Sequence, residues 1–534
     1  MLPTSTLTAV TLFTVVSVVT GDERPNFIIL FADDMAWGDL GANWNLPKTA
    51  SDTPNLDELS EGGMRFTDFH AAASICSPSR ASLLTGRLGI RNGITQLVPS
   101  AAVGGLPLNE TTFAEVLHDA GYSTAMIGKW HLGNNGSFHP INRGFDYYFG
   151  LPFSPDSGCT DVPGRDIPSR NPCPKDLRSS TPLSGRSDYD SFEDCTGNSG
   201  YALPLYENYT VVEQPLDLWN LSASYAEKTV NFLKQTQNSD KPFLMYVAFT
   251  HMHVPLGHGS KFTNMSVNGF FGDTLREMDN IVGDIMSTLR AIGKEDNTMV
   301  WFTSDNGPWV IKCQYAGSQG PYIGKWQEIY GGGGSTGKLT PWEAGHREPA
   351  LVYWPGRIKP GQVSDSLLSA MDIFPTIATI AGVAMPANRK FDGIDITEVL
   401  FGGKRIYDGR ALFHPNSASS GTMGDLNTVR VGRYKALYLT GQDFAPAAAC
   451  GGKTGPVQWH SLPLIFNIDT DPAESSPLNQ TSAEYKAALG NIQNALIFIM
   501  DDIANDNTTI ANWNTEPSCK PCCNPNHVAC RCKD

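Results

Sequence analysis

Four polar sites stand out because each follows a run of apolar residues. Asp33-Asp34 comes after Phe27-Ile28-Ile29-Leu30-Phe31-Ala32, and Asp305-Asn306 comes just after Met299–Thr303. Lys129 and His131 follow Tyr122–Ile127, and His251 and His253 follow Phe243–Thr250. Asp33, Asp34, Asp305 and Asn306 offer only oxygen, so they suit a hard cation, calcium before magnesium, rather than zinc, which favours nitrogen and sulfur. The histidines and Lys129 can hold an anion and move protons. A fifth site is Cys76-Ser77-Pro78-Ser79-Arg80, continuing as Ala81-Ser82-Leu83-Leu84-Thr85-Gly86-Arg87. Pro78 at a first helical position predicts a helix start whose free N–H groups face the surroundings of Cys76, a seat for an anion. Lys338 follows Gly331-Gly332-Gly333-Gly334-Ser335, a glycine run that reads as a flexible loop able to bring this lysine to the same place.

The elements that must position these groups can be read from the same stretches. Continuous apolar runs, rather than alternating ones, predict strands buried on both faces of a parallel sheet. Ligand sites in such sheets lie beyond the carboxyl ends of the strands, so strands sharing one sheet would bring all four polar ends to one edge with Cys76. Ala350–Trp354 reads as a further strand. Leu275, Met278, Ile281, Val282, Ile285, Met286 and Leu289 recur at the helical period, with Gly293 as a stop, and Thr112–Ala120, Ser224–Leu233 and Asp372–Gly382 also read as helices. Residues 151–222, rich in Pro, Gly, Ser and Asp and holding Cys159, Cys173 and Cys195, predict a long disulfide-tied excursion over the sheet edge. Beyond about Gly403, short strands at Thr428–Val431, Tyr434–Leu439 and Leu464–Ile468 and a helix at Ala483–Asp502 predict a smaller α+β domain on an antiparallel sheet. The expected organisation is a signal peptide over 1–21, a catalytic domain over 22–403 and a smaller domain over 404–534.

The stretch from Cys76 to Arg87 resembles the sulfatase signature C-x-P-S-R-x-x-L-L-T-G-R, whose cysteine is oxidised to Cα-formylglycine. The likeness runs from Arg24-Pro25-Asn26 to the cysteine tail and is closest to the arylsulfatase A and N-acetylgalactosamine-6-sulfatase group. It implies an alkaline-phosphatase-like α/β fold, with a large mixed, mostly parallel sheet flanked by helices, and hydrolysis of sulfate monoesters to an alcohol or phenol and sulfate. One hydroxyl of the aldehyde hydrate attacks sulfur, and the other lets the sulfated group collapse by C–O cleavage. By this resemblance Asp33, Asp34, Asp305 and Asn306 match calcium ligands, joined by an oxygen of the modified Cys76. Arg80 and Lys129 match the cations around that group, and Asp305 also takes the proton of the attacking hydroxyl. His131 matches the residue that deprotonates the remaining hydroxyl. His253 and Lys338 match groups that bind the ester and act as acids on the departing oxygen, and Ser154 matches a contact to the ester. His251 and His253 would face the same side of an extended segment, and the family's H-x-P pattern favours His253. A formylglycine-generating enzyme is the implied maturation partner, the substrate a sulfated small molecule, glycolipid or glycan, and a homodimer is left open.

Composition narrows the setting. With 39 basic against 54 acidic residues, a net charge of −15 and a pI near 5.2, neither nucleic acid nor an anionic membrane suits the chain as a partner. The apolar run from Leu7 to Val19 reads as a cleaved secretory signal, and no later stretch reaches the roughly 18 consecutive apolar residues of a stable membrane insertion. Setting Cys76 aside leaves ten cysteines, an even number that predicts disulfides, including the tail from Cys519 to Cys532. Sequons at Asn109, Asn135, Asn208, Asn220, Asn264, Asn479 and Asn507 agree with passage through the secretory pathway to a lysosome or the extracellular space. Three other classes of function stay open on the residues alone, one of them a disulfide-rich structural glycoprotein with no turnover. A phosphomonoesterase or phosphodiesterase of the same superfamily would be expected to use Ser or Thr with zinc, and a catalytically silent sulfated-glycan-binding glycoprotein would keep Cys76 unmodified.

Overall fold

The run at residues 27–32 lies at the middle of a ten-stranded sheet. The structure, a computed structural model, describes residues 24–47, 49–175, 201–417, 421–441, 450 and 452–532. The expected signal peptide, residues 176–200 of the excursion, and Cys195 lie outside the described residues. In chain order the sheet contains β1 Asn26–Ala32, β2 Met64–Phe66, β3 Ser123–Gly128, β4 Tyr147–Gly150, β5 Leu205–Glu207, β6 Thr210–Glu213, β7 Phe243–Ala248, β8 Thr298–Ser304, β9 Ala350–Tyr353 and β10 Gln362–Ser364. Its order is β10-β2-β9-β8-β1-β7-β3-β4-β5-β6. From β8 to β4 the strands run parallel, and β9 and β5, which run against them, make the sheet mixed.

Among the helices are α1 Pro54–Gly62, α2 Cys76–Thr85, α3 Phe113–Asp119, α4 Leu221–Thr236, α5 Gly269–Ala291, the short α6 Glu343–His346, α7 Ile373–Ala381 and α8 Ala483–Ala504. Phe27, Ile29 and Phe31 of β1 pack in one core with Leu83, Phe113 and Phe374, while Ile28 and Leu30 pack in another with Leu56, Tyr225 and Ile281. Helices thus cover both faces of the central strands, which is why their sequences do not alternate. Each fully buried aliphatic side chain contributes roughly 1.5–3 kcal/mol. α3 starts at a capping box, in which Thr112 Oγ1 accepts from the Glu115 N–H and Glu115 Oε2 accepts from the Thr112 N–H.

Two readings are corrected. α2 begins at Cys76, so Pro78 is its third residue; a first-turn proline costs no helical hydrogen bond because those N–H groups have no partner four residues back. The glycine run is pinned rather than loose: Gln327 Nε2 donates to the carbonyls of Gly331 and Gly333, and the Gly455 N–H donates to Gly333. Cysteines pair as Cys159–Cys173, Cys313–Cys450, Cys522–Cys530 and Cys523–Cys532, but Cys519 is unpaired among the described residues.

A second, antiparallel sheet has the order β11 Ala411–His414, β12 Thr428–Val431, β13 Tyr434–Thr440 and β14 Gln458–Asn467. β14 is longer than expected because it stays paired with β13 past an irregularity between Leu437 and Leu439. α8 packs Tyr485, Ala488, Ile492 and Ile499 onto Phe413, Val429, Ala436 and Ile465 of this sheet. Leu437 and Phe466 meet Trp326 and Trp342 from the chain between β8 and β9. Buried charges join the two sheets. Arg430 of β12 binds Asp68 at 3.1 Å and Glu343 at 2.9 Å, Lys435 of β13 binds Glu343 and Glu474 at 3.0 Å each, and Arg347 binds Asp68 and Glu343. Among the described residues no helix is long and apolar enough to cross a membrane.

Candidate active site

At the carboxyl edge of the large sheet, Asp33 and Asp34 leave β1, Lys129 and His131 leave β3, His251 and His253 leave β7, and Asp305 and Asn306 leave β8. β3 and β7 approach so closely here that a Cβ on Gly128, which has φ +121°, would lie 1.7 Å from the Ala248 carbonyl oxygen. Cys76, first residue of α2, enters from one side and is 1% exposed. Its Sγ lies 3.6 Å from Asp33 Oδ1 and 3.3 Å from Lys338 Nζ. Lys129 Nζ donates to Asp33 Oδ2 at 2.8 Å, and Lys338 Nζ to Asp34 Oδ1 at 2.6 Å. Arg80, one turn into α2, clamps Asp305 Oδ2 through Nε at 3.0 Å and Nη2 at 2.8 Å, and its Nη1 donates to the Lys129 carbonyl. Asp33, Asp34, Cys76, Arg80, Lys129, Asp305 and Lys338 are thus joined in one buried cluster.

Three buried carboxylates face three buried cations, so each charge depends on the others. Burial pushes Asp34 and Asp305 above the ordinary carboxylate range, with Lys338 and Arg80 respectively pulling the other way. Burial likewise pushes the Cys76 thiol far up, against the pull of Lys129 and Lys338. A thiol so held is a poor nucleophile. His131 and His253 are driven well below the usual imidazole range by burial and then by the surrounding cations, which keeps both rings neutral.

The donor set fits a hard cation. Asp34 Oδ2 and Asn306 Oδ1 are buried oxygens with no hydrogen-bond partner among the described residues. Asn306 Nδ2 donates to Asp34 Oδ1 at 2.7 Å, holding the two side chains together. Asp33, Asp34, Cys76 and His253 bring one ligand atom each within 4.8 Å of one another. Unpaired buried oxygens beside further carboxylates are what calcium or magnesium would satisfy. Asp68, His70 and Glu343 form a second acidic group of this kind. There Arg347 and Arg430 already match the acids, and no cation is called for.

The two histidines part company. The segment turns after β7 instead of continuing extended, so His251 points away, its Nε2 2.7 Å from Ser222 Oγ, which in turn donates to Glu277 Oε2. His253 faces the centre, with Nε2 3.7 Å from Asp34 Oδ2 and 3.2 Å from Ser154 Oγ. Its Nδ1 lies 2.6 Å from the Val254 carbonyl, which can only accept, so Nδ1 carries the proton and Nε2 accepts from Ser154. Ser154 is thus beside the site as expected. Trp309 was not foreseen: Lys338 Nζ sits 4.9 Å over its ring and the His253 ring is 5.6 Å away. A tryptophan three residues beyond Asn306 is a signal that sequence reading could have taken.

Comparison with known proteins agrees with this geometry. Residues 25–383 match the family described as Sulfatase, and residues 408–532 match the C-terminal region of aryl-sulfatase. The chain is 53% identical over 511 residues to arylsulfatase G of Rattus norvegicus, covering 96% of this chain and 93% of the relative. It is 36% identical over 526 residues to arylsulfatase A of Homo sapiens, covering 96% of each. Among solved structures, the PsFucS1 sulfatase from Pseudoalteromonas sp. is similar with a TM-score of 0.70 and 26% identity, over 90% of each chain. The expected α/β architecture with its smaller antiparallel sheet stands, and the chain belongs to the sulfatase family, as a sulfuric ester hydrolase of the arylsulfatase type.

Proposed function

We propose that this hydrolase works through Cα-formylglycine at position 76 and one calcium ion held by Asp33, Asp34, Asp305 and Asn306. The observation that carries the reading is the meeting of Cys76, Lys338 and Asp33 at the start of α2. When present, the ion would draw charge from the sulfuryl oxygens and the aldehyde hydrate would supply the attacking hydroxyl. Arg80 and Lys129 orient the side chain at position 76 and offset negative charge around it. Asp305 accepts a proton from the attacking hydroxyl. His131 is neutral and its Nδ1 has no hydrogen-bond partner among the described residues, so it can accept the proton of the remaining hydroxyl. Lys338 Nζ is the resident acid for the departing oxygen, since the neighbouring anions, Asp34 first, keep it charged against burial. His253 and Ser154 bind the ester, and His253 donates from Nε2 only when its ring is doubly protonated.

The catalytic unit is taken as residues 22–403 and the smaller one as 404–534, after a signal over 1–21. Four disulfides and exposed sequon asparagines such as Asn109, Asn264 and Asn479 support a glycoprotein of the secretory pathway, lysosomal or extracellular. Its maturation partner would be a formylglycine-generating enzyme, and its substrate a sulfated small molecule, glycolipid or glycan. The test is the mass of the tryptic peptide carrying position 76, together with turnover of 4-nitrophenyl sulfate by Cys76→Ala. An aldehyde at that position and a variant that folds but does not turn over are expected; an active enzyme whose residue 76 is still a thiol would end the proposal.

A further inference from the structure

The inner side of α8 packs Tyr485, Ala488, Ile492 and Ile499 onto the antiparallel sheet, but its outer side is apolar as well. There Ile497 is 68% exposed, Phe498 71% and Met500 62%. Between Lys486 and Asp501 the helix carries no charged residue, although the chain as a whole has a net charge of −15. No sequon falls on the helix either, since Asn479 and Asn507 lie beyond its two ends. A helix that faces only water ordinarily shows charged and polar residues on that side, and an exposed apolar strip marks a place of contact.

Two further features of this face say what it touches. Gly490 lies two turns before Ile497 on the same side, and a Cβ added to it would meet nothing within 4 Å. No neighbour in this chain asks for glycine there, and glycine weakens a helix interior relative to alanine; its use on an open face is to let another backbone come close. Lys486 stands near the amino end of α8 and Asp501 near its carboxyl end, where the helix dipole disfavours each charge. Neither has an ion-pair partner among the described residues, and the Asp501 carboxylate accepts only from Asn505 Nδ2, at 3.3 Å.

A second α8 laid antiparallel on the first satisfies both. With a two-fold axis between Gln493 and Asn494, residues equally far from the axis stand level with one another. Lys486 then meets the partner's Asp501, and Ile497 lies over the partner's Gly490. Phe498 fits between the partner's Ala487 and the partner's Asn491. The two Asn494 amides, each donor and acceptor, face one another across the axis.

We propose that α8 is a self-association surface, through which two copies of this protein pair antiparallel, with Ile497 and Phe498 of each copy over the small residues of the other and Lys486 against the partner's Asp501 at both ends. Lipid suits the face less well, because Asn491, Gln493 and Asn494 interrupt the strip at its middle and an acidic chain is repelled by anionic headgroups. The contact makes no use of the catalytic assignment above.

Sedimentation velocity of the full-length enzyme over a concentration series reads the association, with 4-nitrophenyl sulfate turnover and a thermal melt as checks that each variant is folded. Wild type is expected to pass from one chain to two as concentration rises. Ile497→Glu/Phe498→Glu is expected to raise the dissociation constant by about tenfold or more, with turnover and melting unchanged. Lys486→Glu and Asp501→Lys are each expected to raise it by about tenfold, and Lys486→Glu/Asp501→Lys to bring it back toward wild type, as only the antiparallel register allows. Should the two glutamates prevent folding, the charge variants alone decide. A chain that stays single at every concentration, a dimer that the glutamates leave intact, or single reversals that the double one does not rescue overturns the proposal. So does a monomer that floats with phosphatidylcholine vesicles and ceases to do so in Ile497→Glu/Phe498→Glu, which would give the face to lipid.

Discussion

Lys338 Nζ lies 3.3 Å from Cys76 Sγ although 262 positions separate the two residues in the chain. The lysine arrives from the segment between β8 and β9, which is held down by the Leu339 bond to Ser74 and by the Lys338 N–H bond to the Pro308 carbonyl. It therefore reaches position 76 and the acidic pair at once. Replacing it by Met keeps the aliphatic stem and removes the proton. Lys338→Met is expected to lower kcat by about 10²–10⁴ on an alkyl sulfate and by less on 4-nitrophenyl sulfate, whose leaving group needs little help from an acid. Equal losses on the two esters would remove Lys338 from the acid role.

His253 and His251 should separate in the same way their rings do. His253→Ala is expected to cost about a hundredfold or more in turnover with little change in stability. His251→Ala breaks the link through Ser222 to Glu277, which also accepts from the Gly259 N–H at 2.8 Å. Its expected signature is a stability loss of roughly 1–3 kcal/mol with a smaller effect on turnover. Turnover and thermal melts of the two variants check this, and the reverse pattern would exchange their assignments.

Removing calcium with a chelator is expected to abolish turnover and lower the melting temperature, because Asp34 Oδ2 and Asn306 Oδ1 would again lack a partner. A ligand at a hundred times its Kd stabilises by about 2.7 kcal/mol, a shift that melting curves resolve readily. Asp34→Asn should blunt the calcium-dependent part of that shift. Melting and turnover untouched by chelation would refute the metal site.

Asp279 offers a pH test far from the reacting centre. Its carboxylate caps the start of α1, accepting from the Asn55 and Leu56 N–H groups at 2.9 Å each and from Asn55 Nδ2 at 2.7 Å. Burial nevertheless pushes it up to about 7, from an ordinary value of 3.8. Between those values the folded chain holds a proton that the unfolded chain releases, so this group's contribution to stability is full at low pH and is lost as pH rises through about 7. Asparagine does not titrate. The stability of Asp279→Asn relative to wild type should therefore rise between about pH 4 and pH 7 and level off above that in denaturant titrations at each pH; a difference independent of pH would count against the buried, proton-holding carboxyl.

The large sheet was legible because its central strands are covered on both faces and so leave unbroken apolar runs, each ending where β1, β3, β7 and β8 end in space. The chemistry at those ends was legible for the same reason, with the Cys76 signature fixing the helix that meets them. Local pattern had less to say where the chain turns. Two positions of extended strand would have given His251 and His253 one set of neighbours, and the turn after β7 gives them different ones, Ser222 and Asp34. Pairings across long separations left no trace either: nothing near Arg430 announces Asp68, and nothing near Cys313 announces Cys450.

The salt-linked seam between the sheets also bears on how the protein is made. Asp68 and Glu343 draw cations from Arg430 and Lys435, which are synthesised in the last quarter of the chain. Until the ribosome has released that region, two anions in the larger half lack part of their countercharge, and burying them early is unfavourable. A nascent chain stopped after Gly403 is expected to stay open to protease at the edge that holds Cys76, where a full-length chain is closed. Cys76 is 1% exposed once folding is complete, so an enzyme that modified it would have to reach it before the last strands are in place.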